Sequence, residues 1–131
     1  MPELSRWFIR TALVYLLVSL MVGVAQPSLA SAGMVLWPTY VHLLVVGWLT
    51  QLIFGVAYWM FPRPAAAASH WTERLGWVSY AGLNAGLVLR AIAELGPVTG
   101  FRGDWFVLSA LLQMVAGWAF VIASWPRVRG R

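Results

Sequence analysis

The sequence contains no cysteine and no lysine, and only four of its 131 residues are acidic. Without cysteine the chain forms no disulfide, no thiolate metal site and no iron–sulfur cluster. Charged residues make up 10% of the chain and hydrophobic residues 61%, which excludes an ordinary soluble domain and a disordered tail. At roughly 20 residues for each membrane-spanning helix, the ~80 apolar residues suffice for about four spans.

The apolar residues fall into four segments that are separated by helix-stopping and helix-capping residues. Gln26-Pro27 predicts the end of the first helix, Thr39 the N-cap of the second and Asp104 the N-cap of the fourth, while Gly96-Pro97 closes the third. We therefore predict an all-α fold, a single membrane domain over residues 1–131 that forms an antiparallel up-down bundle of four transmembrane helices. The predicted spans are residues 7–25, 40–61, 73–95 and 105–125.

The arginines predict the orientation of this bundle. Seven of the nine fall on one side of the four predicted spans, whereas Arg102 lies on the other side and Arg90 lies within a span. This asymmetry predicts that both termini are cytoplasmic and that the protein is a multi-pass protein of the inner (plasma) membrane. It also assigns the basic charge to topology and lipid headgroups rather than to nucleic acid. The seven are Arg6, Arg10, Arg63, Arg74, Arg127, Arg129 and Arg131.

The first segment has a second interpretation as a cleaved signal peptide, because four of the five residues 28–32 are small and the run resembles a cleavage site. Retention is favoured, since Trp7 is typical of a membrane interface and the apolar stretch of about 19 residues is long for a signal.

Four polar residues within the spans need an explanation, because polar groups in hydrocarbon are costly. The predicted topology brings His42, Arg90 and Glu94 to a similar depth near the outer leaflet, with Met21 of the first helix at the same level. Arg90 and Glu94 are four residues apart and can pair. The fourth polar residue, Asn84, lies near mid-span, where we interpret it as an interhelical hydrogen-bonding group.

His42 has three interpretations. As a functional residue it is an axial ligand of haem, with Arg90 neutralising a haem propionate. As a structural residue it hydrogen-bonds a neighbouring helix near the headgroups. A third possibility, a quinone or copper site that combines His42 with Glu94, offers too few ligands for firm copper binding. The glycine pairs on helices two and three fit close helix packing either within the chain or between protomers: Gly47 and Gly55, Gly82 and Gly86.

The second predicted helix resembles the second transmembrane helix of haem–copper oxidase subunit I, most closely in the cbb-type oxidase and nitric-oxide reductase branch. His42 stands where that family has a ligand of the low-spin haem. The resemblance is good over residues 7–63 and looser over residues 75–125, where helix three is similar to small four-helix relatives of the subunit. The matching residues are His42, Gly47-Trp48, Gly55-Val56, Tyr58 and Pro62-Arg63 on helix two, and Asn84, Arg90 and Glu94 on helix three.

The resemblance implies a membrane protein that binds haem b, as one haem per chain or one shared by a dimer. The second axial ligand would be His42 of a twofold-related copy, which we favour slightly, or Met21, or Met34, or none. Having one intramembrane histidine, the chain lacks the ligands of a binuclear centre, so oxygen reduction by this chain alone is excluded, and a self-contained enzyme is not expected. The expected function is electron transfer or gas sensing, and the alternative is a non-catalytic accessory or assembly subunit of a larger respiratory complex.

Overall fold

The described part of the chain forms four helices. The computed structural model describes residues 1–62, 66–96 and 102–128, and these ranges contain no β-strand, which confirms the all-α prediction. We name the helices α1 (Glu3–Ser31), α2 (Trp37–Met60), α3 (Ala66–Leu95) and α4 (Arg102–Val128). Several residues used in the sequence-based predictions lie outside the described ranges: Arg63, Pro97, Arg129 and Arg131.

Three of the four helices described, α1, α2 and α4, are long and apolar enough to cross a membrane. Their large apolar side chains point outward: Met21, Val24 and Met60 are each more than two-thirds exposed. Such a surface is unfavourable in water and is what a lipid environment solvates. The chain is therefore a membrane protein. Helix α3 is not one of the three, and it is the helix that carries Asn84, Arg90 and Glu94.

Helix α1 runs past Pro27, so the predicted end at Gln26-Pro27 is not where the helix stops. The helix ends instead at Ser31, and the residue that caps it is Gly33, which has a φ of 83°. The Gly33 amide donates to the carbonyl of Ala30, and the Met34 amide donates to the carbonyl of Leu29. These two bonds form a Schellman cap, which satisfies the last carbonyls of the helix and favours glycine.

Helix α2 begins at Trp37, before the predicted N-cap residue Thr39. Its actual N-cap, Leu36, makes no side-chain capping bond, and Pro38 occupies the first turn, where a missing amide hydrogen is tolerated. Thr39 is thus inside the helix and its hydroxyl is free to bond elsewhere. At the start of α4, Asp104 lies in the first turn rather than at the cap position.

The middle of α2, Leu43–Thr50, is a π-helix, in which backbone amides bond to carbonyls five residues back. The Thr50 hydroxyl follows the same spacing and donates to the Val45 carbonyl at 2.9 Å. Segments of π-helix are rare in proteins, and those that occur are often found at functional sites. This one starts directly after His42.

Glycines allow the helices to approach closely. A Cβ placed on Gly55 of α2 would lie 2.9 Å from atoms of Phe8 and Ile9 on α1. Likewise, a Cβ on Gly86 of α3 would lie 2.8 Å from Gln113 on α4. Both glycine pairs noted in the sequence therefore serve packing within the chain. The core at these crossings includes Leu4, Phe8, Tyr58, Leu83, Ala116 and Ala123.

An amide pair links α2 to α3 near the middle of the bundle. Gln51 is completely buried, and its amide and that of Asn84 exchange hydrogen bonds of 3.3 and 3.4 Å. Asn84 also donates to the Tyr80 carbonyl at 2.8 Å. Asn84 is therefore an interhelical group as predicted, whereas its partner Gln51 was not anticipated from the sequence.

Replacing Gln51 with leucine is expected to lower the free energy of unfolding by about 1 kcal/mol, because the Asn84 amide loses its interhelical partner. The double variant Gln51→Leu/Asn84→Leu should recover part of this loss, since both polar groups are then removed together. Denaturant titration in detergent micelles, followed by circular dichroism, measures both values. Strictly additive losses in the double variant would contradict a direct Gln51–Asn84 interaction.

Candidate functional site

Three of the four predicted site residues meet at one end of the bundle. His42 lies in the second turn of α2, and Arg90 and Glu94 lie in the last two turns of α3. The Glu94 carboxylate contacts both of the other side chains. Met21 does not join them: its side chain on α1 is 71% exposed.

Glu94 is the centre of this cluster, and its side chain is only 6% exposed. Its Oε1 atom lies 2.9 Å from Arg90 Nε and 3.0 Å from His42 Nδ1. Its Oε2 atom accepts a hydrogen bond of 2.8 Å from the Thr39 hydroxyl. A buried carboxylate is costly unless it is paired and hydrogen-bonded, and here donors from two helices meet that requirement.

The contacts of His42 define its tautomer. Nδ1 lies 2.8 Å from the Pro38 carbonyl oxygen and 3.0 Å from Glu94 Oε1. Both neighbours are acceptors, so Nδ1 carries a hydrogen, and in the neutral ring Nε2 keeps the lone pair. Among the described side chains and backbone, Nε2 has no hydrogen-bond partner. This is the arrangement of metal-binding histidines, in which the other ring nitrogen donates to a carboxylate or carbonyl.

A second layer of basic and aromatic groups lies beside Glu94. The Arg90 guanidinium carbon is 4.7 Å from the centre of the Phe106 ring on α4, and that of Arg102 is 5.6 Å from the same centre. Arg102 also donates to the carbonyls of Ala93 and Glu94, at 2.7 and 3.0 Å. These contacts join the start of α4 to the end of α3, and the Phe106 ring packs against Arg90.

Two cavities adjoin the cluster. One, of about 480 Å³, is lined by Arg90, Glu94, Arg102 and Phe106 together with residues 33–35 and Pro38. The other, of about 400 Å³, is apolar and lies between Tyr15, Leu43 and the face of α3 from Leu87 to Gly96. His42 lines neither of them.

Haem, which the resemblance implies, can be tested against these residues. The donor chemistry fits one axial position, because a neutral imidazole with an unpartnered Nε2 is what haem iron binds. The described part of one chain does not supply a second donor beside it: Met21 points outward, and Met34 lines the larger cavity, which His42 does not reach. No group of three histidine, aspartate or glutamate residues suited to a metal ion was found in the part of the chain that is described.

Sequence reasoning missed three members of the site. The sequence predicts Thr39 as a helix cap, because its contact with Glu94 depends on where α2 begins. It predicts Arg102 only on the side opposite the other arginines, and it gives no signal for Phe106. The sequence does contain a signal for Arg102. It follows Glu94 by only eight residues, so the short connection between α3 and α4 keeps Arg102 close to Glu94.

No protein-family model, curated protein or solved structure matches this chain.

Proposed function

We propose that this chain is a membrane haem b protein in which His42 Nε2 is an axial ligand of the iron. The observation that carries the proposal is the pair of acceptors at Nδ1, the Pro38 carbonyl and the Glu94 carboxylate. Together they hold the ring in the tautomer that leaves Nε2 for a ligand bond. The similarity of the α2 sequence to oxidase subunit I supports the same assignment.

Each remaining residue of the cluster has a role toward the histidine. Glu94 orients the imidazole and makes it a stronger donor. Thr39 and Arg90 in turn position Glu94, one on each carboxylate oxygen. Haem held in this way supplies one-electron transfer when six-coordinate, or binding of a diatomic gas when one axial position is open.

The second axial ligand is proposed to come from a twofold-related copy. One chain offers one suitable imidazole, and a C₂ dimer would place two of them on opposite faces of a single haem. Two contacts for each pair of neighbouring helices support an antiparallel up-down bundle, because rising numbers on one helix meet falling numbers on the next. The contacts are Ser5 with Gly55 and Gly23 with Tyr40, Thr39 with Glu94 and Gln51 with Asn84, and Gly82 with Ala116 and Gly86 with Ser109. With the arginine asymmetry, this arrangement favours cytoplasmic termini in an inner (plasma) membrane.

An absorption spectrum of protein purified from haem-replete cells tests the proposal. We expect a Soret band with the reduced bands of haem b, at one haem per two chains for a shared bis-histidine site. Exposure of the reduced protein to carbon monoxide separates the two activities. An unchanged spectrum indicates six-coordinate haem and electron transfer, whereas a shifted Soret band indicates an open position and gas binding. A colourless preparation would contradict haem binding in either form.

A second candidate is a non-catalytic accessory subunit of a respiratory complex. It is favoured by the way Thr39 and His42 of α2 both bond to Glu94 of α3, since such a cluster also holds two helices together. In this case the protein should co-purify with larger membrane subunits and carry no haem of its own.

A further inference from the structure

The larger cavity beside Glu94 has an excess of positive charge, because some guanidinium groups that line it are not paired with Glu94. Arg90 bonds to Glu94 through Nε, and Arg102 bonds to the two α3 carbonyls through Nε and Nη2. The Nη1 and Nη2 groups of Arg90 and the Nη1 group of Arg102 make no hydrogen bond within the described residues. With the imidazole neutral, two guanidinium groups and one carboxylate leave one net positive charge at a cavity of about 480 Å³.

The apolar cavity lies next to this charged one. Leu95 and Gly96, at the end of α3, line both cavities. The remaining lining of the apolar cavity is a groove between α1, α2 and α3, formed by Tyr15, Leu43, Leu87 and their neighbours. A cationic cavity for a headgroup thus shares a border with an apolar groove of about 400 Å³ that opens on the outer surface of an apolar helix bundle.

We propose that these two cavities form a binding site for one anionic phospholipid. The phosphate would accept hydrogen bonds from Nη1 and Nη2 of Arg90 and from Nη1 of Arg102, because a planar guanidinium can donate to two phosphate oxygens at once. An acyl chain would lie in the groove along Leu87, Ala91 and Leu95. Charge complementarity selects an anionic headgroup over a zwitterionic one, and the adjoining groove selects a lipid over free phosphate. The site depends on membrane insertion and not on the haem.

Native mass spectrometry of the detergent-solubilised protein tests this site, with phosphatidylglycerol, phosphatidylcholine and inorganic phosphate as probes. We expect wild-type protein to retain one phosphatidylglycerol per chain about tenfold more strongly than phosphatidylcholine, the effect of about one charge-assisted hydrogen bond. Inorganic phosphate at millimolar concentration should not displace the lipid.

Two variants and one control locate the binding. Arg102→Gln should reduce phosphatidylglycerol retention to the phosphatidylcholine level, and Ala91→Phe, which fills the groove, should reduce retention of both lipids. Arg74→Gln, which removes an exposed arginine from the other end of α3, should change neither. The haem spectrum should be the same in wild type and Ala91→Phe, because Ala91 lines only the apolar groove, so failure of the lipid site is distinguishable from failure of the haem site.

Three results would overturn the proposal. The first is equal retention of the two lipids by wild-type protein. The second is unchanged retention in both Arg102→Gln and Ala91→Phe. The third is displacement of the lipid by inorganic phosphate, which would identify a site for free anions instead.

Discussion

Replacing Glu94 with alanine is expected to weaken haem binding by about 10- to 100-fold, the usual effect of losing the group that orients a ligating histidine. The variant removes one of the two acceptors at His42 Nδ1 and leaves the other, the Pro38 carbonyl at 2.8 Å. The required tautomer therefore persists, and binding is weakened rather than abolished. Glu94→Gln keeps an oxygen acceptor without the charge and should fall between alanine and wild type.

Titration of haem into detergent-solubilised apoprotein, followed at the Soret band, measures this effect. Glu73→Ala is the matched control, because it removes an exposed carboxylate from the opposite end of the same helix and should leave the affinity unchanged. Helix content and thermal unfolding are measured in parallel, since Glu94 also joins α2 to α3. If a folded Glu94→Ala variant bound haem as tightly as wild type, the carboxylate would have no role in the site.

The substitution Gly47→Ala is expected to destabilise the bundle by about 1–3 kcal/mol, as overpacked cores generally do. A Cβ at this position would lie 2.8 Å from Tyr15 Cγ and 2.9 Å from Leu87 Cδ2, so it would press on α1 and α3 at once. Tyr15 Cβ is equally near at 2.9 Å, and an atom so close to the backbone cannot swing aside.

Gly117→Ala on α4 is the matched control for Gly47→Ala. No described atom outside its own helix turn lies within 4 Å of a Cβ built at Gly117, so alanine should be neutral or stabilising by up to about 1 kcal/mol. Denaturant titration under identical micelle conditions compares the two variants. Equal unfolding free energies for Gly47→Ala and Gly117→Ala would show that the crossing of α1, α2 and α3 is looser than the structure indicates.

Hydrophobicity and helix-stopping residues were enough to predict the four helices, because long apolar segments leave few alternatives. The ends were less predictable. Pro27 is a typical helix-stopping residue, but α1 continues past it to Ser31, and Gly33 permits the left-handed cap that closes α1. The π-helix from Leu43 to Thr50 could not be predicted. The spacing of apolar residues does not show whether a backbone amide bonds to the carbonyl four or five residues before it.

The sequence predicts the depth of the site residues in the membrane, but not which face of its helix each residue occupies. Helix topology and spacing indicated that His42, Arg90 and Glu94 would lie at one level, and the structure brings these three together. Met21 was placed at the same level by the same reasoning, yet it faces outward, because depth along a helix does not determine which face a residue occupies. Thr39 and Arg102 contact the cluster because of the residues at which α2 and α4 begin. The sequence predicts these helix starts only to within a few residues, which is not precise enough to predict the two contacts.

The most direct test of the account is chemical rescue of a His42→Gly variant. Haem is measured spectroscopically in this variant, in His70→Gly as a control and in wild type, before and after addition of imidazole. If His42 Nε2 binds the iron, the variant should lack the haem b spectrum, imidazole should restore it, and His70→Gly should match wild type. A His42→Gly protein that carries the same haem spectrum as wild type without imidazole would contradict the assignment.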